Sequence, residues 1–145
     1  GDLGAAVVLL GAARRLRRRE DEGLALDLAD RAARRPLWEA GLRDACLCHG
    51  SLGNAHLFHR LAEMTGSPQF RTAAQAYLRE GLSRRRDGEG FCGFLHELPP
   101  VVGLRETTIQ DSAAGLLEGA AGIGLALISS LGGARPTWDR FLLPA

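Results

Sequence analysis

The chain has 145 residues, of which 46% are hydrophobic, and a net charge of +1. That composition supports a globular core and excludes a disordered chain, and the near-neutral balance offers no electrostatic case for nucleic acid or an anionic membrane. Three cysteines (Cys46, Cys48 and Cys92) are too few for a disulfide framework and suit a reducing cytoplasm. No basic-then-apolar leader opens the chain, and its longest apolar run, residues 119–131, is shorter than the roughly 20 residues that span a bilayer.

In chain order, Gly1-Asp2-Leu3-Gly4 runs into the apolar stretch Ala5-Ala6-Val7-Val8-Leu9-Leu10. A chain seldom starts on the first turn of a buried helix, so further sequence is expected before Gly1. Residues 22–34 follow the helical period, with Leu24 and Leu28 on one face and Asp27, Asp30, Arg31 and Arg34 on the other. The opening pattern returns at Gly50-Ser51-Leu52-Gly53, which leads into Asn54-Ala55-His56-Leu57-Phe58. A second amphipathic helix is expected over 69–86, gathering Phe70, Ala74, Tyr77 and Leu78. Gly88-Glu89-Gly90 reads as a turn, and 90–102, with Pro99-Pro100, as a long loop. Asp111-Ser112 is expected to begin a short helix reaching Leu117. A third copy, Gly119-Ala120-Ala121-Gly122, then leads into Ile123-Gly124-Leu125-Ala126-Leu127. Helices that are apolar nearly all round alternate with amphipathic ones, and no alternating strand pattern appears. The expected fold is all-α, with about three inner helices buried on all sides and two or three outer ones covering them.

Cys48-His49-Gly50 is the sharpest chemical signal. Cysteine and histidine are the favoured zinc ligands, and adjacent ligands can face one metal from an irregular turn that enters a helix, where glycine frees the backbone. Alone, the tripeptide reads more readily as a buried cysteine beside a hydrogen-bonded histidine. Cys46 is expected to be core, with ligation through the Cys46-x-Cys48 pair as the alternative, and Cys92 a structural or idle thiol. His56 and His59 share a helix face and read as packing or surface residues. His96 lies in the long loop, where lining a pocket is the alternative to no role. The arginine runs at 14–19 and 84–86 read as solvated helix ends, with binding of an acidic peptide as the alternative. No Lys-Ser/Thr follows the Gly-x-x-Gly turns, so a phosphate cradle is not expected.

Position makes the tripeptide more specific. Cys48-His49-Gly50-Ser51-Leu52-Gly53 opens a repeated helix, and here the sequence resembles the C-terminal portion of the lanthionine synthetase C-like (LanC-like) family. That family carries Cys-His-Gly at this point and a Trp-Cys-Tyr/His-Gly motif one repeat earlier, of which Gly1-Asp2 looks like the tail. The likeness continues through 47–65, Leu116-Leu117-Glu118-Gly119-Ala120-Ala121-Gly122 and Trp138-Asp139-Arg140-Phe141-Leu142-Leu143, and so covers essentially all of 1–145 as one N-terminally truncated unit. The resemblance implies an arc of a double-layered α/α toroid.

It also implies a Zn2+ ion held by Cys48, His49 and a third, cysteine ligand before Gly1. The acid/base histidine and its partner aspartate would lie further upstream, so no catalytic residue is assigned within 1–145. The implied reaction is addition of peptide cysteine thiols to dehydroalanine or dehydrobutyrine, forming the (methyl)lanthionine rings of lantibiotics. A ribosomally synthesised precursor peptide and a dehydratase, separate or fused, are the implied partners. Two ligands hold zinc poorly, so the chain alone is expected to bind it weakly or not at all. Other readings are a non-catalytic helical module binding a peptide or partner, and a glycoside-processing α/α toroid. The latter would need paired carboxylates, and Glu97, Glu106, Asp111 and Glu118 form no such motif.

Overall fold

The computed structural model describes residues 1–98, 110–132 and 136–143. Five helices carry the chain: α1 (Asp2–Leu16), α2 (Arg19–Arg34), α3 (Ser51–Thr65), α4 (Pro68–Ser83) and α5 (Ala120–Ser130). Local chemistry sets their ends. α1 stops where Arg17 turns left-handed (φ 57°) and lets the Arg18 amide bond the Ala13 carbonyl. α2 then opens with Glu20, Asp21 and Glu22 and closes with Arg31 and Arg34, the order the helix dipole favours. Gly66, left-handed at φ 73°, ends α3, and Pro68 occupies the first turn of α4.

α1 packs on α2 and α3 on α4; α3 touches both α1 and α5, and α2 touches α4. The helices therefore form two layers, α1–α3–α5 and α2–α4. The main core lies between them around Leu3, Val7, Leu10, Leu61 and Phe58, with the Phe58 ring stacked 5.4 Å from Tyr77 and 6.3 Å from Phe70. The fold is all-α in two layers, as the alternation of apolar and amphipathic helices leads one to expect.

Three local expectations need correction. The fully buried stripe of α2 is Ala25, Ala29 and Ala32, small side chains that allow close approach to α1; Leu28 packs partly buried against the same core, whereas Leu24 is exposed. α1 and α5 are not buried on every side among the described residues, since Val8 and Ile128 are exposed. Residues 111–117 do not form a helix. Gln110–Asp111 (β2) instead pairs antiparallel with His96–Glu97 (β1), with His96 opposite Asp111. The carbonyls of Ala113 and Ala114 accept from the amides of Ala120 and Ala121, so this segment wraps the start of α5 and directs these two carbonyls away from a helix of its own. Pro99-Pro100 and Glu106 lie outside the described residues.

The C-terminal turn Trp138–Phe141 is clamped onto α3. Asp139 is buried and its Oδ2 lies 2.9 Å from His56 Nε2 and 3.2 Å from Arg60 Nε. The Trp138 ring covers His56 at 4.8 Å, and its Nε1 donates to Ser129 Oγ on α5 at 3.0 Å. Burial pushes the His56 pKa down from 6.5; Asp139 opposes this and Arg60 reinforces it, so the imidazole is neutral and donates Nε2–H to the carboxylate. A histidine whose pKa is depressed on folding contributes stability that is present above 6.5 and is lost as pH falls through the lowered value. The urea midpoint is therefore expected to fall between pH 7 and pH 5 by more in the wild type than in His56→Asn, which has no proton to take up. Parallel pH profiles would show that His56 does not contribute this term.

Candidate metal centre

The loop from Asp44 to Gly50 wraps the N-terminus of α3. The Asp44 carbonyl accepts from the Ser51 amide (3.0 Å) and hydroxyl (3.2 Å), and the Cys46 carbonyl from the Gly53 amide at 3.2 Å. This approach explains the Gly-x-x-Gly signature at 50–53; a Cβ at Gly1 or Gly4 would meet nothing within 4 Å among the described residues. A Cβ at Gly50 would strike the Cys46 backbone and Asp44 Oδ1, and one at Gly53 would strike the Leu47 carbonyl. The loop before α5 repeats the arrangement: Gly119 and Gly122 lie against the backbones of Ala113, Gly115 and Leu116. A bond from the Cys48 amide to the Leu117 carbonyl (2.8 Å) ties the two loops together. Arg84, at the end of α4, donates Nη1 to the Arg43 carbonyl at 2.6 Å. This arginine of the 84–86 run thus fastens the loop rather than being only solvated.

Asp44 anchors the interior of the loop. Its Oδ1 accepts from the Cys46 amide (2.9 Å), and its Oδ2 from His96 Nδ1 (2.9 Å) and the Glu97 amide (3.1 Å). Burial alone would raise the pKa of this carboxyl, but the donors on Cys46, Glu97 and His96 outweigh it, and the group stays below its ordinary value as a carboxylate. His96, itself buried, is brought there by β1, and its Nε2 lies 3.7 Å from Glu118 Oε2.

His49 is half-exposed at the mouth of the loop. Its Nε2 sits 3.8 Å from the same Asp44 Oδ2, and its ring is 5.8 Å from that of His96. One candidate ligand atom each from Asp44, Cys46, His49 and His96 falls within 4.8 Å of the others. Cys48 is exposed beside His49 and is not one of the four. Cys46 is buried, and its thiol is pushed up to about 12, first by burial and then by the neighbouring Asp44 carboxylate. It is core, as expected, but core against the candidate centre. Cys92 is exposed, while His56 serves the C-terminal clamp and His59 faces Glu63 at 3.8 Å.

One thiol, two imidazoles and a carboxylate gathered from two segments make a donor set suited to zinc. Asp44 is the residue that reasoning from sequence missed, together with its link to His96, for which the sequence suggests no more than a pocket lining. They lie 52 positions apart, and no local spacing signals a pairing made across two loops.

No helix of the described residues is long and apolar enough to cross a membrane. No curated protein matches the chain. The family model described as "Lanthionine synthetase C-like protein" matches residues 1–143. With Cys48-His49 at the head of a buried helix, the two helical layers and a match over nearly the whole length, the chain belongs to the lanthionine synthetase C-like family.

Proposed function

We propose that this chain is the zinc-site portion of a cyclase that adds peptide cysteine thiols to dehydroalanine or dehydrobutyrine, forming lanthionine and methyllanthionine rings. Cys48 and His49 would hold Zn2+ together with a cysteine from sequence before Gly1. The observation that carries the reading is the environment of Cys48-His49. An exposed thiol and a half-exposed imidazole stand side by side at the head of α3, over a carboxylate already engaged from below. Cys46 is the weaker candidate ligand, because its side chain is enclosed in the interior of the loop, whereas Cys48 is exposed beside His49. Asp44 is weaker for a different reason: its oxygens already serve three nitrogen donors.

Bound zinc supplies the positive charge that keeps a substrate thiol deprotonated near neutral pH. The residues of this chain bind and present it. Cys48 and His49 open to solvent where a peptide can arrive, and the Cys48 amide, fixed by Leu117, keeps that edge of the site in place. Protonation of the enolate left by thiol addition falls to an acid upstream. The precursor peptide and its dehydratase are the partners this chemistry requires.

The test uses the protein carrying this region and a dehydrated peptide with free cysteines, counting residual thiols by alkylation. Cys48→Ala is expected to slow cyclisation at least about 100-fold, because metal stabilisation of charge is worth several kcal/mol. Thiols consumed at the wild-type rate would refute the assignment.

A further inference from the structure

The mechanism above uses Cys48 and His49 but leaves the buried pair Asp44 and His96 without a task. The carboxylate is nearly inaccessible, and both its oxygens already accept from backbone amides, Oδ1 from Cys46 and Oδ2 from Glu97. A ring nitrogen that bonds such an acceptor must carry a proton. His96 therefore donates from Nδ1. His49 turns its Nε2 edge to the same Oδ2, at 3.8 Å, and this leaves Nδ1 as the nitrogen with a free lone pair.

We propose that Asp44 is the positioning residue of the metal centre: its Oδ2 holds His49 in the Nε2–H tautomer and presents Nδ1 to the metal, while His96 braces that oxygen from the opposite side. This rests on the reading of His49 as a zinc ligand. Metal-binding histidines commonly donate their second ring nitrogen to a carboxylate, which fixes the ring and raises its basicity. The present separation is longer than a hydrogen bond, and the contact closes when the metal draws the ring into line. His96 cannot move to meet His49, because β1 pairing and the Glu97 amide hold the strand against the same oxygen. His49, exposed and at the loop edge, is the partner that moves. The four-residue cluster thus divides by role: His49 binds, Asp44 orients, His96 supports, and Cys46 closes the interior by donating its amide to Asp44 Oδ1.

The experiment is long-range 1H–15N correlation spectroscopy of the protein carrying this region, with the upstream sequence that supplies the third ligand, read at His49 and His96 without metal and then during titration with zinc sulfate. The expected result is an Nε2–H tautomer for His49 and an Nδ1–H tautomer for His96, with zinc perturbing His49 at Nδ1. In Asp44→Asn the His49 preference should be lost, and zinc affinity, read by competition with a chromogenic chelator, should fall about 10- to 100-fold. An Nδ1–H tautomer for wild-type His49, or metallation at its Nε2, overturns the proposal. So does an Asp44→Asn variant of native far-ultraviolet circular dichroism with unchanged tautomer and affinity. If Asp44→Asn does not fold, the wild-type tautomers still decide. Failure of the cyclase reading appears separately, as cyclisation retained in Cys48→Ala.

Discussion

Asp139→Ala is expected to destabilise the protein by about 3 kcal/mol or more, the range seen when one partner is removed from a buried ion pair. Asp139 is 1% exposed and is the acceptor for both His56 and Arg60. Its loss leaves Arg60 with Glu63 as its remaining charge partner, at 2.8 Å, and returns His56 to an apolar enclosure under Trp138. The backbone consequence adds to this, because the Asp139 carbonyl receives the Leu142 and Leu143 amides and the side chain is what pins that turn to α3. Asp139→Asn keeps a hydrogen-bond acceptor for His56 and should cost less. Arg60→Met placed in the Asp139→Ala background should recover part of the loss, since it removes the charge left without Asp139; among the described residues Asp139 Oδ1 has no partner, so the native arrangement is itself imperfectly compensated. Urea unfolding of the wild type, Asp139→Ala, Asp139→Asn, Arg60→Met and the double variant reads this directly. Additive losses for Asp139→Ala and Arg60→Met would show that the two side chains act independently.

The sequence made the layers legible because hydrophobic periodicity is a local property. Residues 69–86 announce α4 through Phe70, Tyr77 and Leu78, and all three face the interior, fully or in part. Register within a helix was less visible: α2 fully buries Ala25, Ala29 and Ala32, while Leu26 and Leu28 pack only in part against the core and Leu24 is exposed. Hydrophobicity ranks leucine above alanine, whereas close helix packing rewards small side chains. Segment 111–117 failed for a different reason. Its alanines and leucines have good helix propensity, but the carbonyls of Ala113 and Ala114 are taken by the first amides of α5. That long-range bonding overrides propensity and cannot be read from a window of residues.

The candidate centre divides in the same way. Cys48-His49 could be found because two ligand types sit together before a repeated Gly-x-x-Gly. Asp44 and His96 could not, because their contact exists only once α4 and β1 have brought the long loop back over the start of α3. Trp138-Asp139-Arg140 could be matched as a motif, but the reason for its aspartate is a histidine 83 positions earlier.

Gly53→Ala and Gly124→Ala are expected to change stability in opposite directions, although both replace a helical glycine with the best helix former. Gly124 lies within α5 with nothing within 4 Å of a built Cβ. Alanine there should gain up to about 1 kcal/mol from reduced backbone entropy in the unfolded chain. Gly53 is fully enclosed, and a methyl group would collide with the Leu47 carbonyl and stand 3.2 Å from Leu47 Cα. The obstacle is backbone and it cannot yield freely, because the residues on either side of Leu47 are fixed, Cys46 by the Gly53 amide and Cys48 by the Leu117 carbonyl. Overpacking of this kind costs about 1–3 kcal/mol, and more where backbone must shift, so the helix-propensity gain does not offset it. The displaced segment is the one that carries Cys46, Cys48 and His49, so Gly53→Ala should also weaken zinc binding, whereas Gly124→Ala should leave it unchanged. Urea midpoints of both variants, and zinc competition on both in the protein carrying this region, test the pair. A stabilised Gly53→Ala with native zinc affinity would mean that the loop is not held against α3 as tightly as these contacts require.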